Sequence, residues 1–130
     1  MKTTCLIVDD SAILRTMVAR AVRLSGAGVE TIVQAANGIE ALAVLSATPV
    51  HLVLTDIHMP EMGGAELLAH MQADAKLAPI PVVIVSAEPS IDRMEDLCRN
   101  GARGYLRKPF SPENVRALIV PLLEQQHENN

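Results

Sequence analysis

Cys5-Leu6-Ile7-Val8-Asp9-Asp10, four apolar residues closed by two acids, is the stretch that decides the fold, because the chain repeats its design. Leu52-Val53-Leu54-Thr55 is closed by Asp56, Val82-Val83-Ile84-Val85 by Ser86, and Tyr105-Leu106-Arg107 by Lys108. Short runs of this kind, apolar without alternation, read as strands buried on both faces in a parallel sheet. In an open α/β sheet, ligands bind in the crevice outside the carboxyl ends of the strands. Four such runs would therefore deliver three carboxylates, a hydroxyl and an ammonium to one place.

Working outward from these runs, the pattern predicts strands over 4–9, 29–35, 50–55, 80–85 and 103–107, and helices over 12–25, 38–47, 64–74, 90–100 and 112–126. Five βα units imply a parallel sheet covered on both faces, a three-layer α/β/α sandwich. In the first helix Leu14, Met17, Val18, Ala21 and Val22 recur at three- and four-residue spacing, and Gly26 and Gly28 end it. Asn37-Gly38, Thr48-Pro49 and Gly63-Gly64 punctuate short connections, with no linker, repeat or low-complexity segment. Pro121 falls inside the last helical pattern, where its missing N–H and its ring predict a bend or break just before it.

A length of 130 residues fits one domain, spanning 1–130, with no room for a separate output module. Although 49% of residues are apolar, no stretch approaches the roughly 18 uninterrupted apolar residues of a membrane span. Met-Lys-Thr-Thr runs directly into a strand pattern, not a signal peptide. The expectation is a soluble cytoplasmic protein with no membrane insertion. A net charge of −4 gives no broad basic surface, which argues against direct nucleic-acid binding and for protein partners. Cys5 and Cys98 form no C-x-x-C pair and read as reduced thiols without a functional role.

The closing residues suit a divalent cation and phosphate. Successive strand residues point to opposite faces, so Asp9 and Asp10 cannot share one, yet both can reach an ion held just beyond the strand end. Hard carboxylate oxygens around hydrated positions suit Mg²⁺, which keeps several waters and completes its shell with phosphate. The looped ligand spacing that Ca²⁺ uses in EF-hands is absent. The charges of three carboxylates, one divalent cation and the Lys108 ammonium cancel before phosphate arrives. A carboxylate can also attack phosphorus to form an aspartyl phosphate, with the metal and ammonium neutralising the transferring oxygens.

Taken singly, an Asp pair at a strand end reads as a solvated turn, and a lone Ser or Lys-Pro says less still. Jointly, one set of motifs carries a family resemblance: Val8-Asp9-Asp10-Ser11 with Arg15, Asp56 followed by Met59-Pro60-Glu61-Met62-Gly63-Gly64, Glu66-Leu67-Leu68, Val85-Ser86-Ala87-Glu88, and Gly101-Ala102-Arg103-Gly104-Tyr105-Leu106-Arg107-Lys108-Pro109-Phe110. From about residue 4 to 125 the chain resembles the receiver domain of two-component response regulators, and within that family the single-domain chemotaxis type.

That resemblance implies a flavodoxin-like (βα)5, doubly wound five-stranded parallel sheet with strand order 2-1-3-4-5. It implies that Asp56 is the phosphoacceptor, that Asp9, Asp10, Asp56 and the backbone carbonyl of His58 hold Mg²⁺, and that Ser86 and Lys108 sense the phosphoryl group. Tyr105 would be the switch relay, filling space that Ser86 vacates, and Pro109 would follow a cis bond, which an X-Pro bond adopts most cheaply. The chain would be a receiver and not an enzyme, taking its phosphoryl group from a sensor histidine kinase. It would switch the binding of a target on the face of the fourth helix, fifth strand and fifth helix, as a monomer or weak dimer.

Several residues depart from the family's pattern. His58 and Glu88 flank the expected path of attacking water, and their opposite potential charges suggest a pair that sets phosphoryl lifetime. Gly63 stands where the family often has Asp, an expected loosening of the third helix. Gly104 lacks the acid that many DNA-binding regulators use for dimer contacts. His51, His70 and His127 share no ligand spacing with His58 and read as surface residues. An aspartate-nucleophile phosphatase is the enzymatic alternative, but it would show Asp-x-Asp, which this chain lacks. A flavin or nucleotide carrier would want a Gly-rich loop where Asp9-Asp10-Ser11 stands. A phosphorelay intermediate that passes phosphate to a histidine phosphotransfer protein would share the same site.

Overall fold

The computed structural model describes residues 3–87 and 90–128, with side chains through residue 125. Along the chain run β1 (Thr4–Val8), α1 (Ala12–Ser25), β2 (Thr31–Ala35), α2 (Gly38–Ala47), β3 (Leu52–Thr55), α3 (Gly64–Ala73), β4 (Val82–Ser86), α4 (Ile91–Arg99), β5 (Gly104–Arg107) and α5 (Pro112–Glu128). All strand pairs are parallel, in the order β2-β1-β3-β4-β5. This is the doubly wound, flavodoxin-like α/β sandwich expected from the sequence. No helix among the described residues is long and apolar enough to cross a membrane.

The strand pattern alternates between two cores, as a two-residue period requires. Leu6, Val8, Val53 and Ile84 point to one face, packed with Leu45 of α2, Leu67, Leu68 and Met71 of α3, and Met94 and Leu97 of α4. Cys5, Ile7, Leu52, Leu54, Val83 and Val85 point to the other, packed with Val18 and Val22 of α1 and Val115, Ile119 and Leu123 of α5. The central strands β1, β3 and β4 are buried along their whole length, whereas edge strands β2 and β5 are partly exposed. Each large aliphatic side chain fully buried here contributes about 1.5–3 kcal/mol of transfer free energy.

Helix ends follow local chemistry. Ser11, Asn37 and Ser90 accept from the N–H three residues on, capping α1, α2 and α4. α5 opens on Pro112, and Ser111 and Asn114 exchange side-chain-to-backbone hydrogen bonds of 3.0 and 3.1 Å, a reciprocal cap. α1 ends at Gly26 in the left-handed region (φ 69°). Arg116 of α5 reaches back to donate to the carbonyls of Ser25 and Gly26, at 3.1 and 3.0 Å.

Two expectations change. Pro121 does not break the last helix, which runs from Pro112 to Glu128. Val115, Ile119 and Leu123, on both sides of it, are buried in one stripe against the sheet, while Pro121 faces solvent. Packing thus outweighs the lost hydrogen bond. Gly63, the N-cap of α3, makes no side-chain cap hydrogen bond, and a Cβ there would sit 2.5 Å from the Ile57 carbonyl oxygen, a close approach of two backbone segments that suits glycine. His51 is half-buried, not a surface residue, and its Nδ1 accepts from the Thr4 N–H at 3.1 Å. The side chain of His127 lies outside the described residues.

Candidate phosphoryl and metal site

Backbone hydrogen bonds extend the parallel ladder one step beyond the strand ends, and this aligns the site. The N–H of Asp9 donates to Ala35 of β2 at 3.1 Å, that of Asp56 to Val8 of β1 at 3.0 Å, and that of Lys108 to Ser86 of β4 at 3.0 Å. Each closing residue is therefore pinned to its neighbour although it lies outside its own strand. Because β1 and β3 are adjacent with Val8 opposite Thr55, Asp9 and Asp56 stand side by side.

Asp9 is almost fully buried. Its Oδ1 accepts from the Ser11 N–H at 2.9 Å, and its Oδ2 accepts from Lys108 Nζ at 3.3 Å. Asp10 is exposed at the rim. Asp56 is half-buried; its Oδ1 accepts from the Ile57 N–H at 2.7 Å, and its Oδ2 lies 3.7 Å from Lys108 Nζ. Lys108 thus bridges two carboxylates from different strands.

One oxygen each from Asp9, Asp10 and Asp56 lies within 4.8 Å of the others. Oxygens around Mg²⁺ at about 2.1 Å stand no more than ~4.2 Å apart across the ion, so small side-chain rotations would bring the three into one shell. The donors are all hard oxygens, which favours Mg²⁺ over metals that prefer nitrogen and sulfur ligands, such as Zn²⁺ and Cu²⁺.

Ser86 closes β4 and is buried at the same edge. His58 lies two residues beyond Asp56 and is exposed. Tyr105, on β5 opposite Ile84, is 40% exposed. It lines an open groove of about 460 Å³ with Phe110, Asn114 and Leu118. The Lys108–Pro109 peptide is cis, as expected. Glu88 lies outside the described residues.

One contact was not legible beforehand. Arg15, in the first turn of α1, donates through a short hydrogen bond to the Asp9 carbonyl, and its Nε donates to Gln34 Oε1 at 3.0 Å. It thereby ties the backbone of the acidic pair to β2. In the sequence Arg15 was noted only as part of the motif with Val8-Asp9-Asp10-Ser11, which carries no sign of the contact itself.

The family model of the response regulator receiver domain matches residues 5–120. The chain belongs to this family. Two-component response regulator ORR3 of Oryza sativa subsp. indica is 41% identical to this receiver over 114 residues, covering 87% of the receiver and 85% of the rice protein. Chemotaxis protein CheY1 of Helicobacter pylori is 31% identical over 119 residues, covering 91% and 94% of the two chains. Among solved structures, the CheY-like receiver domain of Methanospirillum hungatei superposes with a TM-score of 0.85 at 25% identity, covering both chains completely. CheY4 of Vibrio cholerae superposes with a TM-score of 0.82 at 28% identity, covering 94% of this receiver and 99% of its own chain. Receivers work with histidine kinases and downstream targets, and generally bind Mg²⁺ through an acidic cluster of the kind seen here.

Proposed function

We propose that this receiver takes a phosphoryl group from a sensor histidine kinase onto Asp56 in a Mg²⁺-dependent reaction, and that the modified state binds a target protein differently. The observation that carries this reading is the convergence of Asp9, Asp10, Asp56 and Lys108 at one edge of the sheet. When bound, Mg²⁺ supplies charge neutralisation and orientation for the phosphoryl oxygens. Asp9, Asp10, Asp56 and the His58 carbonyl would hold it.

Asp56 is the nucleophile. Its carboxylate oxygen forms the O–P bond as the N–P bond of the phosphohistidine breaks, and the imidazole nitrogen leaves with the electron pair and is protonated by water. The Ile57 N–H orients the acceptor carboxylate through the 2.7 Å hydrogen bond to Oδ1. Lys108 neutralises charge on the transferring group and afterwards pairs with the product, and Ser86 donates its hydroxyl to a phosphoryl oxygen. Phosphorylation raises the charge at Asp56 to about −2, which draws both sensing residues inward. Tyr105 relays that movement to the groove beside Phe110 and Asn114, on the face of α4, β5 and α5 where the target docks.

The chain is a reactant in this exchange and not a turnover enzyme, acting in the cytoplasm as a monomer or weak dimer. His58 and Glu88 set the lifetime of the acyl phosphate. Incubation with labelled acetyl phosphate and Mg²⁺ tests the assignment: the wild type takes label and Asp56→Asn does not. Label retained by Asp56→Asn at another aspartate refutes it.

A further inference from the structure

The loop from Asp56 to α3 is folded back on itself. The Met62 N–H donates to the Pro60 carbonyl at 2.7 Å, and the Gly64 N–H donates to the Ile57 carbonyl at 2.9 Å. Glu61 between them adopts a left-handed φ of 67°. A Cβ on Gly64 would fall 2.1 Å from the Asp56 carbonyl oxygen, so the loop's far end is pressed against the acceptor's own backbone. Displacement of this loop would therefore displace Asp56.

A second element holds the loop from outside. Gly38, the first residue of α2, donates its N–H to the Met62 carbonyl at 2.9 Å. The Met62 side chain lies directly over Gly38, where an added Cβ would meet Met62 Cγ at 2.5 Å, Sδ at 2.7 Å and Cβ at 3.0 Å. Gly38 is not among the residues with positive φ. What position 38 demands is space, not left-handed backbone. On helix propensity alone alanine would suit this position better than glycine. Contact with Met62 Cβ, and not just with the end of a flexible thioether, means that an added methyl pushes on the loop backbone.

We propose that Met62 seated over Gly38 is a positioning device for the Mg²⁺ and phosphoryl site. The seat holds the segment 57–63 in place, and with it the His58 carbonyl and the Asp56 carboxylate, by anchoring both to the N-terminus of α2. This rests on the reading given under Proposed function. Mg²⁺ tolerates little departure from octahedral geometry, so residues that orient its ligands without touching it affect affinity by about 10–100-fold. Met62 acts through the loop that carries the His58 carbonyl and follows Asp56.

Mg²⁺ affinity by calorimetry on folded protein, together with acetyl-phosphate labelling, tests the device in a double-mutant cycle. Gly38→Ala weakens Mg²⁺ binding about tenfold and slows labelling. Met62→Ala weakens Mg²⁺ binding several-fold. Gly38→Ala made in the Met62→Ala background adds a clearly smaller loss, because the contacts with Cγ and Sδ are gone and only the 3.0 Å contact with Cβ is left. A Gly38→Ala protein that melts earlier yet binds Mg²⁺ as the wild type does, or a loss that is undiminished in the Met62→Ala background, overturns the inference while leaving the proposed function intact. Should Gly38→Ala not fold, Met62→Ala carries the test, and unchanged Mg²⁺ affinity in it overturns the inference. A wild type that binds no Mg²⁺ overturns the proposed function and this inference with it.

Discussion

Cys5 shows how one residue's environment reaches a solution property. It lies on β1 with no exposure, and burial pushes its thiol from 9.0 up to about 12. The folded state therefore keeps a proton that the unfolded chain releases. Stability from this group is fully present below about pH 9 and is lost as pH rises towards 12, at about 1.4 kcal/mol per pH unit inside that window. Urea titrations from pH 8 to 11 measure it: Cys5→Ala starts less stable at pH 8, and its curve falls less steeply than that of the wild type. Parallel curves would show that Cys5 titrates alike in both states. Cys98 is only partly buried, with its thiol raised by desolvation first and by the Glu95 carboxylate second. Neither cysteine enters the proposed chemistry.

Among the elements, α5 carries the sharpest conflict between local preference and tertiary context. Its stripe of Val115, Ile119 and Leu123 covers the face of the sheet shared with α1, and Arg116 closes the end of α1 from across the interface. Pro121 interrupts the hydrogen-bond ladder of this helix on its solvent side without ending it. Pro121→Ala restores an N–H that can bond the Ala117 carbonyl and removes the ring clash, while giving up some entropic restraint on the unfolded chain. The expected gain is about 1–3 kcal/mol, read as a raised urea midpoint with unchanged slope. A lowered midpoint would mean that the helix is shaped around the ring. Boundaries, by contrast, were mostly legible. Strand starts were read up to two residues early at Val50-His51 and Ile80-Pro81, because apolar character alone does not separate a residue in the ladder from one approaching it.

At the scale of the molecule, two cores share one sheet, so loss of β1, β3 or β4 would expose both. Small folds of this kind unfold as a unit, and stabilisation at one edge is felt throughout. The acidic cluster at that edge is held by Lys108, which pairs with Asp9 and Asp56 at 3.3 and 3.7 Å. A cation that binds only the folded state adds about 2.7 kcal/mol at a hundredfold excess over its Kd. For a domain of this size, that raises Tm on the order of 5–10 °C. Circular dichroism melts in EDTA and in saturating Mg²⁺ measure the rise, and Asp9→Asn should abolish it. An equal rise in that variant would place the ion elsewhere.

What the sequence determined by itself was the set of local patterns: five βα units and the residue closing each run. These rest on interactions within a few residues, where backbone preference and apolar periodicity act directly. The resemblance carried by the joint motifs added strand order and roles for Asp9, Asp10, Asp56, Ser86 and Lys108. Tertiary structure alone decided the contacts between distant segments: Lys108 across to Asp9, Arg15 to Gln34, Arg116 onto the end of α1, and Met62 over Gly38. It also decided that Pro121 stays within a helix and that Gly63 is a matter of clearance. Such outcomes depend on which backbones approach within van der Waals contact, a distance set by packing the whole sheet against its helices, which no local pattern encodes.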